Sequence, residues 1–367
     1  MMRWREKHLQ ADKKFLIAIL ILVVFGLVVL TSASSPVGYE KFGDTYFYLK
    51  RQVLYGLLPG LLLFWLLVKI DYEKWQKFSW FIYGFSIILL VLVFVPGVGN
   101  VINGSKSWIN IGGYSFQPAE FAKLAIIIMA ARLLSDKERD KSNWQFGLLP
   151  ILAILAPAFG LILIQPDVGT LSIIVVILFV MLYVAQVPKK FLAVLGGLGV
   201  VVFIGLMLAA PYRMQRLTVF LHPELDPKGI GYHMNQAFLA IGSGGFWGFG
   251  LGHSRQKFQY LPEVSSDSIY AIIAEENGFI ISTALLLLIL MISWRGLSIA
   301  KSAPDDFGRL LVTGIVVWLA WQSFLNIGAM VGVLPLTGVP LPFISHGGSA
   351  LMTELAAVGI VAGVSKR

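Results

Sequence analysis

The sequence contains no cysteine and few charged residues. Without cysteine the chain forms no disulfide bond and no thiolate metal site. Its cysteine content therefore does not indicate whether the protein works in an oxidising or a reducing compartment. Charged residues make up only 13% of the chain, whereas hydrophobic residues make up 57% and the mean hydropathy is +0.78. This composition excludes an ordinary soluble globular protein and indicates an integral membrane protein.

Long polar stretches are also scarce, because apolar runs fill most of the chain. A spanning helix needs roughly 20 mostly apolar residues, and the sequence supplies about ten such runs. The predicted spans are 15–30, 52–69, 78–95, 118–134, 148–164, 170–187, 191–210, 268–294, 310–331 and 348–364. The expected fold class is an all-α polytopic integral membrane protein, with a single membrane domain over residues 1–367.

The net charge of +9 is unevenly distributed along the chain. About two thirds of the lysines and arginines fall in segments that the positive-inside rule assigns to the cytoplasm. We therefore predict that residues 1–14 and 365–367 are cytoplasmic and that residues 211–267 form one long extracytoplasmic loop. The basic start resembles a signal peptide, but its apolar run is too long, so we predict an uncleaved first helix. A basic rim facing membrane lipids explains the charge without nucleic acid.

The long loop ends at Asp267, directly before the eighth predicted span. The simpler role for this residue is to cap that helix, where a carboxylate is favoured by the dipole. The alternative is a carboxylate at the water boundary that orients or deprotonates a hydroxyl, or that holds a divalent cation. Because a helix N-terminus lowers the pKa of a carboxyl group, we expect Asp267 to be a weak base.

Several charged residues lie inside predicted spans. Glu120 and Lys123 stand three residues apart on one helix face, where they either neutralise each other or face a cavity. Glu275, Glu276 and Glu354 are further intramembrane carboxylates, for which structural pairing and function are equally open.

Four of the five basic residues in the predicted outer loop are candidates for a functional role, because they stand against the overall charge bias: Arg213, Arg216, Arg255 and Lys257. Solvation or headgroup contact explains them, because long loops follow the positive-inside rule only weakly. The sharper hypothesis is a phosphate site, since guanidinium groups bind phosphate oxygens bidentately.

Other polar and aromatic residues carry weaker signals. Trp108, in a predicted outer loop, is either an interfacial anchor or a ring that faces a sugar. The run GSGGFWGFGLG lacks Walker and Rossmann spacing, so tight packing or a re-entrant bend is expected. His222, His233 and His253 lack metal-ligand spacing and are interpreted as ordinary polar residues.

Four long motifs occur in order along the chain: SWINIGGYSFQPAEFAKL, IQPDVGT, GYHMNQAFLAIGSGGFWGFGLGHSRQKFQYLPEVSSDSIYAIIAEENG and NIGAMVGVLPLTGVPLPFISHGGSAL. Over nearly its whole length the chain resembles the SEDS family of cell-wall polymerases, which includes RodA, FtsW and SpoVE. The early segments TSASSP and GDTYFYLKRQ are more similar to the FtsW branch.

The resemblance implies a ten-span glycosyltransferase that polymerises lipid II outside the cytoplasmic membrane, with the family's essential aspartate at Asp267. It also implies functional roles for Glu120, Lys123 and Trp108. A divalent cation (Mg or Mn) and no organic cofactor are expected, together with a class B penicillin-binding transpeptidase as partner. Four departures from the family pattern concern fine substrate geometry: Ser268, Asn277, His346 and the pair Lys106-Ser107.

The favoured hypothesis is inverting glycosyl transfer, in which Asp267 orients or deprotonates the acceptor hydroxyl. Arg213, Lys123 and Lys257 would balance the pyrophosphate leaving group, and Glu120 would hold Lys123. The alternatives are a flippase for the same lipid and a non-catalytic scaffold of the cell-wall machinery. The sequence leaves open whether elongation or division is served.

Overall fold

The structure, a computed structural model, describes residues 11–102, 105–138, 140–208 and 211–366. Its helices are α1 (Lys13–Phe42), α2 (Phe47–Lys69), α3 (Glu73–Leu92), α4 (Pro118–Ser135), α5 (Trp144–Ile164), α6 (Val168–Val184), α7 (Lys189–Leu208), α8 (Pro211–Leu221), α9 (Ile230–Ser243), α10 (Ile269–Lys301), α11 (Asp306–Met330) and α12 (Gly348–Val364). Each of the ten predicted spans corresponds to one of these helices, so the predicted fold class is confirmed. The predicted cytoplasmic residues 1–10 and Arg367 lie outside the described residues.

Length and composition explain why these segments become helices. Within the described ranges, seven helices are long and apolar enough to cross a membrane, and α6 and α12 are shorter apolar helices. A chain in hydrocarbon must satisfy its own backbone hydrogen bonds, and a helix does so locally. The remaining span, α4, carries Glu120, Lys123 and Arg132 and is therefore a span that needs protein around it.

Side-chain caps set several helix boundaries. Asp12 accepts a hydrogen bond from the Phe15 N–H group (2.9 Å) at the start of α1. Asp167, from the IQPDVGT motif, accepts from the Thr170 N–H group (2.9 Å) before α6, and Asp305 caps α11 through Gly308 (2.7 Å). Each carboxylate satisfies a backbone donor that has no partner inside its helix.

The bundle is layered around α4, α11 and α12, whose side chains are almost all buried. By contrast, α7 exposes nearly every side chain along its length. A helix that is apolar all round and exposed in this way is suited to contact with lipid chains. Glu120 and Lys123 of α4 therefore lie in the protein interior rather than against lipid.

One end of the bundle holds the elaborate connections, and we call residues 93–117, 211–268 and 331–347 the loop end. It includes an antiparallel three-stranded sheet, β1 (Gly99–Ile102), β2 (Ser105–Ile111) and β3 (Tyr114–Phe116), which the sequence analysis did not predict. It also contains α8 and α9, which divide the predicted long loop into ordered pieces. Two loop-end contacts, the Gln117 N–H group to Ser349 Oγ (3.3 Å) and the His346 N–H group to the Ser265 carbonyl (2.8 Å), join these segments across the bundle.

Candidate functional site

Asp267 lies in the turn that leads into α10 and is only 9% exposed. The N-cap of α10 is Ser268, whose side chain makes no capping hydrogen bond, and Asp267 Oδ1 is buried with no hydrogen-bond partner among the described residues. A capping carboxylate would accept backbone N–H groups of the first turn. The geometry therefore disfavours the capping role and leaves one carboxylate oxygen available for another partner.

Burial, rather than the helix terminus, dominates the acidity of Asp267. Burial raises the pKa of this carboxyl group to about 7, and the nearby Glu263 carboxylate raises it further. Backbone N–H groups and the Arg216 charge act in the opposite direction but are outweighed. The expectation of a lowered pKa was wrong, because the cost of removing the carboxylate from water exceeds the stabilisation by the helix terminus. Asp267 is therefore a stronger base than expected.

The backbone around Asp267 is held from two sides. The Asn326 amide of α11 donates to the Asp267 carbonyl and to the Val339 carbonyl, both at 2.8 Å. The Ser345 hydroxyl donates to the Ser266 carbonyl (2.6 Å). These buried bonds position the carboxylate, because each one satisfies a polar group that would otherwise be costly to bury.

The Glu120–Lys123 pair forms a second centre within the bundle. The Lys123 Nζ and Glu120 Oε2 atoms are 2.9 Å apart, and both side chains are almost fully buried. Lys123 also donates to Gln322 Oε1 (2.7 Å) and lies 4.7 Å from the centre of the Trp318 ring. The pair is thus neutralised internally, as one of the two sequence hypotheses required.

Helix α11 links this pair to Asp267. Gln322 and Asn326 are one turn apart on the same face, and the Gln322 amide donates to the Pro340 carbonyl (3.0 Å) just as Asn326 binds the preceding carbonyl. Residues one turn apart share a helix face. Lys123 is thus linked through Gln322 to Pro340, and the Asp267 backbone carbonyl is linked through Asn326 to Val339, the preceding residue of the 331–347 loop.

The basic residues of the loop end differ in accessibility. Arg216 is exposed, donates to the Leu336 carbonyl (3.4 Å) and acts electrostatically on Asp267. Arg213 is half-buried and donates to the Leu206 carbonyl (3.0 Å) at the end of α7. Lys257, in contrast, is 2% exposed and ion-paired with Glu276. Of the four basic residues that the sequence singled out, Arg216 is the one whose positive charge lowers the pKa of Asp267.

Trp108 is placed in the middle of β2, where its register partner on β1 is Asn100. It is half-buried, and its neighbour Ile109 is buried. The strand holds the indole at the loop end of the bundle. Both sequence hypotheses, an interfacial anchor and a sugar-facing ring, are compatible with this position and stay predictions.

A histidine that the sequence analysis treated as ordinary lies beside the site. The His233 Nε2 and Ser268 Oγ atoms are 2.6 Å apart, which joins α9 to the residue after Asp267. Burial lowers the pKa of His233 to about 4, and the Arg216 charge lowers it further, so the ring is neutral at pH 7. The two residues are 35 positions apart in sequence, and no spacing rule connects them.

Three buried oxygen atoms at and around Asp267 are of the chemical kind that binds the divalent cation expected from the sequence. Within the described residues, there is no cluster of three or more His, Cys, Asp or Glu side chains that could hold a metal ion. However, Asp267 Oδ1, Asn326 Oδ1 and Thr337 Oγ1 are all buried without a hydrogen-bond partner in the described part of the chain. Such oxygens are the ligands that Mg²⁺ takes, with water completing its shell.

The chain is similar to known membrane proteins over almost its full length. The family model for FtsW, RodA and SpoVE, described as a cell cycle protein, matches residues 13–367. Stage V sporulation protein E of Bacillus subtilis (strain 168) is 43% identical over 98% of this chain and 98% of its own length. A probable peptidoglycan glycosyltransferase FtsW of Geobacter sp. (strain M18) is 37% identical over 97% of each chain.

Solved structures share the fold. A chain in the structure of a peptidoglycan synthase complex, concerned with coordination of polymerization and crosslinking, has a TM-score of 0.79 and 28% identity over 97% of each chain. The rod shape determining protein RodA of Thermus thermophilus has a TM-score of 0.71 and 29% identity over 97% of this chain and 96% of that one. With the family model matched from α1 onward and the same architecture in both solved structures, this chain belongs to the FtsW/RodA/SpoVE family of multi-pass cytoplasmic-membrane proteins.

Proposed function

We propose that the chain is a peptidoglycan glycosyltransferase that polymerises lipid II into glycan strands. The observation that carries this proposal is the Asp267 carboxylate, which is buried at the loop end with an unpaired oxygen and has the charge of Arg216 nearby. The name given to the FtsW relatives, probable peptidoglycan glycosyltransferase, supports the same reaction class.

In the proposed reaction, the acceptor sugar's 4-hydroxyl oxygen attacks the anomeric carbon of the donor sugar. The new glycosidic bond forms as the bond from that carbon to the pyrophosphate oxygen breaks, and the electron pair leaves with undecaprenyl pyrophosphate. The hydroxyl proton passes to the Asp267 carboxylate, whose raised pKa suits a base at neutral pH. Attack from the face opposite the leaving group inverts the anomeric centre.

Charge on the leaving group grows in the transition state, so cations placed there accelerate the reaction. Arg216 and Arg213 on α8 are the proposed partners of the pyrophosphate, and a half-buried Trp108 is a proposed platform for a sugar. Glu120 and Lys123 stay predicted substrate-binding residues, although their pairing and burial indicate that they act from beneath the site. Lys257 is not assigned to the substrate in this proposal.

A divalent cation, Mg or Mn, would be held by Asp267, Asn326 and Thr337, whose buried oxygens lack other partners within the described ranges. When bound there, it would supply a Lewis acid that balances negative charge on the pyrophosphate. No organic cofactor is proposed.

We further propose that the loop end faces outward and that both termini are cytoplasmic. The uneven distribution of lysines and arginines supports this orientation. A class B penicillin-binding transpeptidase is the proposed partner, and the similarity to a chain of a peptidoglycan synthase complex supports that assignment.

The test measures glycan products from purified lipid II, separated on a gel, with the full chain reconstituted in membranes. Asp267→Asn is expected to lower the rate by about 100-fold to 10,000-fold, because it removes the base and retains the side-chain shape. Glu40→Gln, which neutralises an exposed carboxylate at the end of α1, is the matched control and should retain activity.

The assay is run with and without the transpeptidase and with and without a chelator. Polymerisation by an Asp267→Ala protein at the wild-type rate would overturn the proposal. Transport of labelled lipid II without any glycan product would favour the flippase hypothesis, and growth support by a protein lacking the Asp267, Lys123 and Arg213 charges would favour the scaffold hypothesis.

A further inference from the structure

Helix α10 is interrupted at Gly278, which has φ 72° and ψ −175°. In a continuous helix, the carbonyls of Glu275 and Glu276 would accept hydrogen bonds from residues four positions later. Here they accept instead from the N–H groups of Phe249 (3.1 Å) and Gly250 (2.9 Å). The glycine-rich segment thus replaces one turn of the helix.

The exchange is reciprocal. The N–H groups of Phe279 and Ile280, freed by the interruption, donate to the carbonyls of Gly245 (2.8 Å) and Phe246 (3.3 Å). A Cβ atom at Gly278 would collide with the backbone of this segment, so only glycine fits. Unpaired backbone groups are costly within a membrane. The segment and the interrupted helix therefore stabilise each other.

A buried ion pair reinforces this junction. The Lys257 Nζ atom lies 2.8 Å from Glu276 Oε1, and the side chains are 2% and 1% exposed. The Ser32 hydroxyl of α1 donates to both Glu276 oxygens (2.8 and 2.7 Å) and accepts from Lys257 (3.2 Å). The charge of Lys257 is therefore satisfied entirely inside the protein.

The adjacent carboxylate binds the chain just before Lys257. Glu275 Oε1 accepts from the Arg255 N–H group (2.9 Å), and Glu275 also accepts from the Gln256 N–H group (3.3 Å) and the Ser254 hydroxyl. We call Ser32, Ser254, Lys257, Glu275 and Glu276 the clamp. It ties residues 254–257 to α10 two turns after Asp267.

We propose that the clamp is a positioning element for Asp267 and that Lys257 acts through Glu276 rather than on the pyrophosphate. The segment between Lys257 and Asp267 is anchored at one end by the clamp and at the other by the start of α10. Gln259 and Glu263, within it, have φ angles of 66° and 51°, so its path is strained and requires both anchors. This inference rests on the proposed function.

Lys257 either positions Asp267 through Glu276 or binds the pyrophosphate itself, and these two roles predict different results in a double-mutant cycle. Removing one member of a buried ion pair leaves an uncompensated charge, whereas removing both charges restores neutrality. A lysine that binds pyrophosphate would not be replaced by neutralising Glu276. The informative variants are Lys257→Met, Glu276→Gln and the double variant, with Lys228→Met as the control for loss of an exposed lysine.

Each variant is reconstituted at full length, and kcat and KM for lipid II polymerisation are measured per folded molecule, beside Tm. We expect each single variant to lower kcat by at least tenfold with KM changed by less than about twofold, because Asp267 is displaced while substrate contacts remain. The double variant should recover kcat to within about threefold of the wild type, and the control should match the wild type.

Three results would overturn the proposal. The first is a double variant that folds but stays as inactive as Lys257→Met while Glu276→Gln is active, which would mean that the lysine charge itself serves the substrate. The second is a set of single variants with lowered Tm and unchanged kcat. The third applies if the charge variants do not fold. Ser32→Ala is then measured instead, and about threefold lower kcat is expected, whereas an unchanged kcat would overturn the proposal. An inactive wild-type protein would instead contradict the proposed function.

Discussion

At the scale of single residues, Asp267 combines burial with a nearby cation. Because burial raises the pKa of its carboxyl group to about 7, an appreciable fraction is protonated at neutral pH. A base acts only in its deprotonated form, so the active fraction rises as the pH rises through this value. The environment of one side chain therefore predicts the pH dependence of the whole reaction.

We expect kcat/KM for polymerisation to increase about tenfold per pH unit below pH 7 and to level off above it, as a single deprotonation requires. Measurement of initial rates between pH 5.5 and 8.5 checks this. Glu40→Gln should show the same profile, and the residual rate of Asp267→Asn should lack this step. A wild-type rate that is constant across the range would contradict the assignment of Asp267 as the base.

The hydrogen bond between His233 and Ser268 is the second residue-scale feature. The neutral imidazole can exchange a hydrogen bond with the serine hydroxyl, which fixes the backbone next to Asp267. The hydrogen bond between these two side chains therefore helps to position Asp267, whereas an apolar residue at position 268 could do so only by packing.

Ser268→Ala and His233→Ala should each lower kcat about fivefold to tenfold, as expected for loss of one buried hydrogen bond. The double variant should be no worse than the more damaged single variant, because both remove the same interaction. His233→Gln, which retains a donor and an acceptor, should preserve most activity, and His222→Ala is the control on an exposed histidine. Additive losses would show that the residues act separately.

At the scale of elements, apolar length predicted the helices well but not their interruptions. The eighth span was predicted over residues 268–294, and α10 runs from Ile269 to Lys301. The sequence around Gly278 does not predict the interruption of α10, because the hydrogen bonds that replace the missing helical ones involve residues 245–250. The same reasoning applies to β1–β3, whose pairing is a contact between segments rather than a property of one.

Gly278→Ala should lower the free energy of unfolding by about 1–3 kcal/mol through backbone strain alone, and further through collision with the Gly248 and Phe246 backbone. The matched control is Gly199→Ala in α7, where no atom lies within 4 Å of the added Cβ. Thermal unfolding in detergent measures the difference. Equal Tm values for the two variants would show that the interruption of α10 is not held by the loop.

At the scale of the whole molecule, the proposed orientation rests on the distribution of charge, whereas the shape of the site depends on how the helices and loops pack together. The absence of native cysteine allows orientation to be tested with single introduced thiols. His253 at the loop end and Ser302, directly after the last residue of α10, are both exposed.

In spheroplasts with a sealed cytoplasmic membrane, we expect His253→Cys to react with a membrane-impermeant maleimide. Ser302→Cys should react only after the membrane is permeabilised. The cysteine-free parent chain is the control for background labelling. The reverse pattern would place the loop end in the cytoplasm, where the proposed reaction on the outer face could not occur.

The sequence by itself determined the membrane class and the ten spans, because apolar length can be read along the chain, and motif order predicted Asp267 as the candidate catalytic residue. Only the tertiary structure decided the state of each charge. Lys257 and Arg216 look equivalent in sequence, yet one is sealed in an ion pair and the other is exposed beside Asp267. Pairing depends on residues as distant as Lys123 and Gln322, 199 positions apart, and burial reverses the pKa shift that the helix start alone implies.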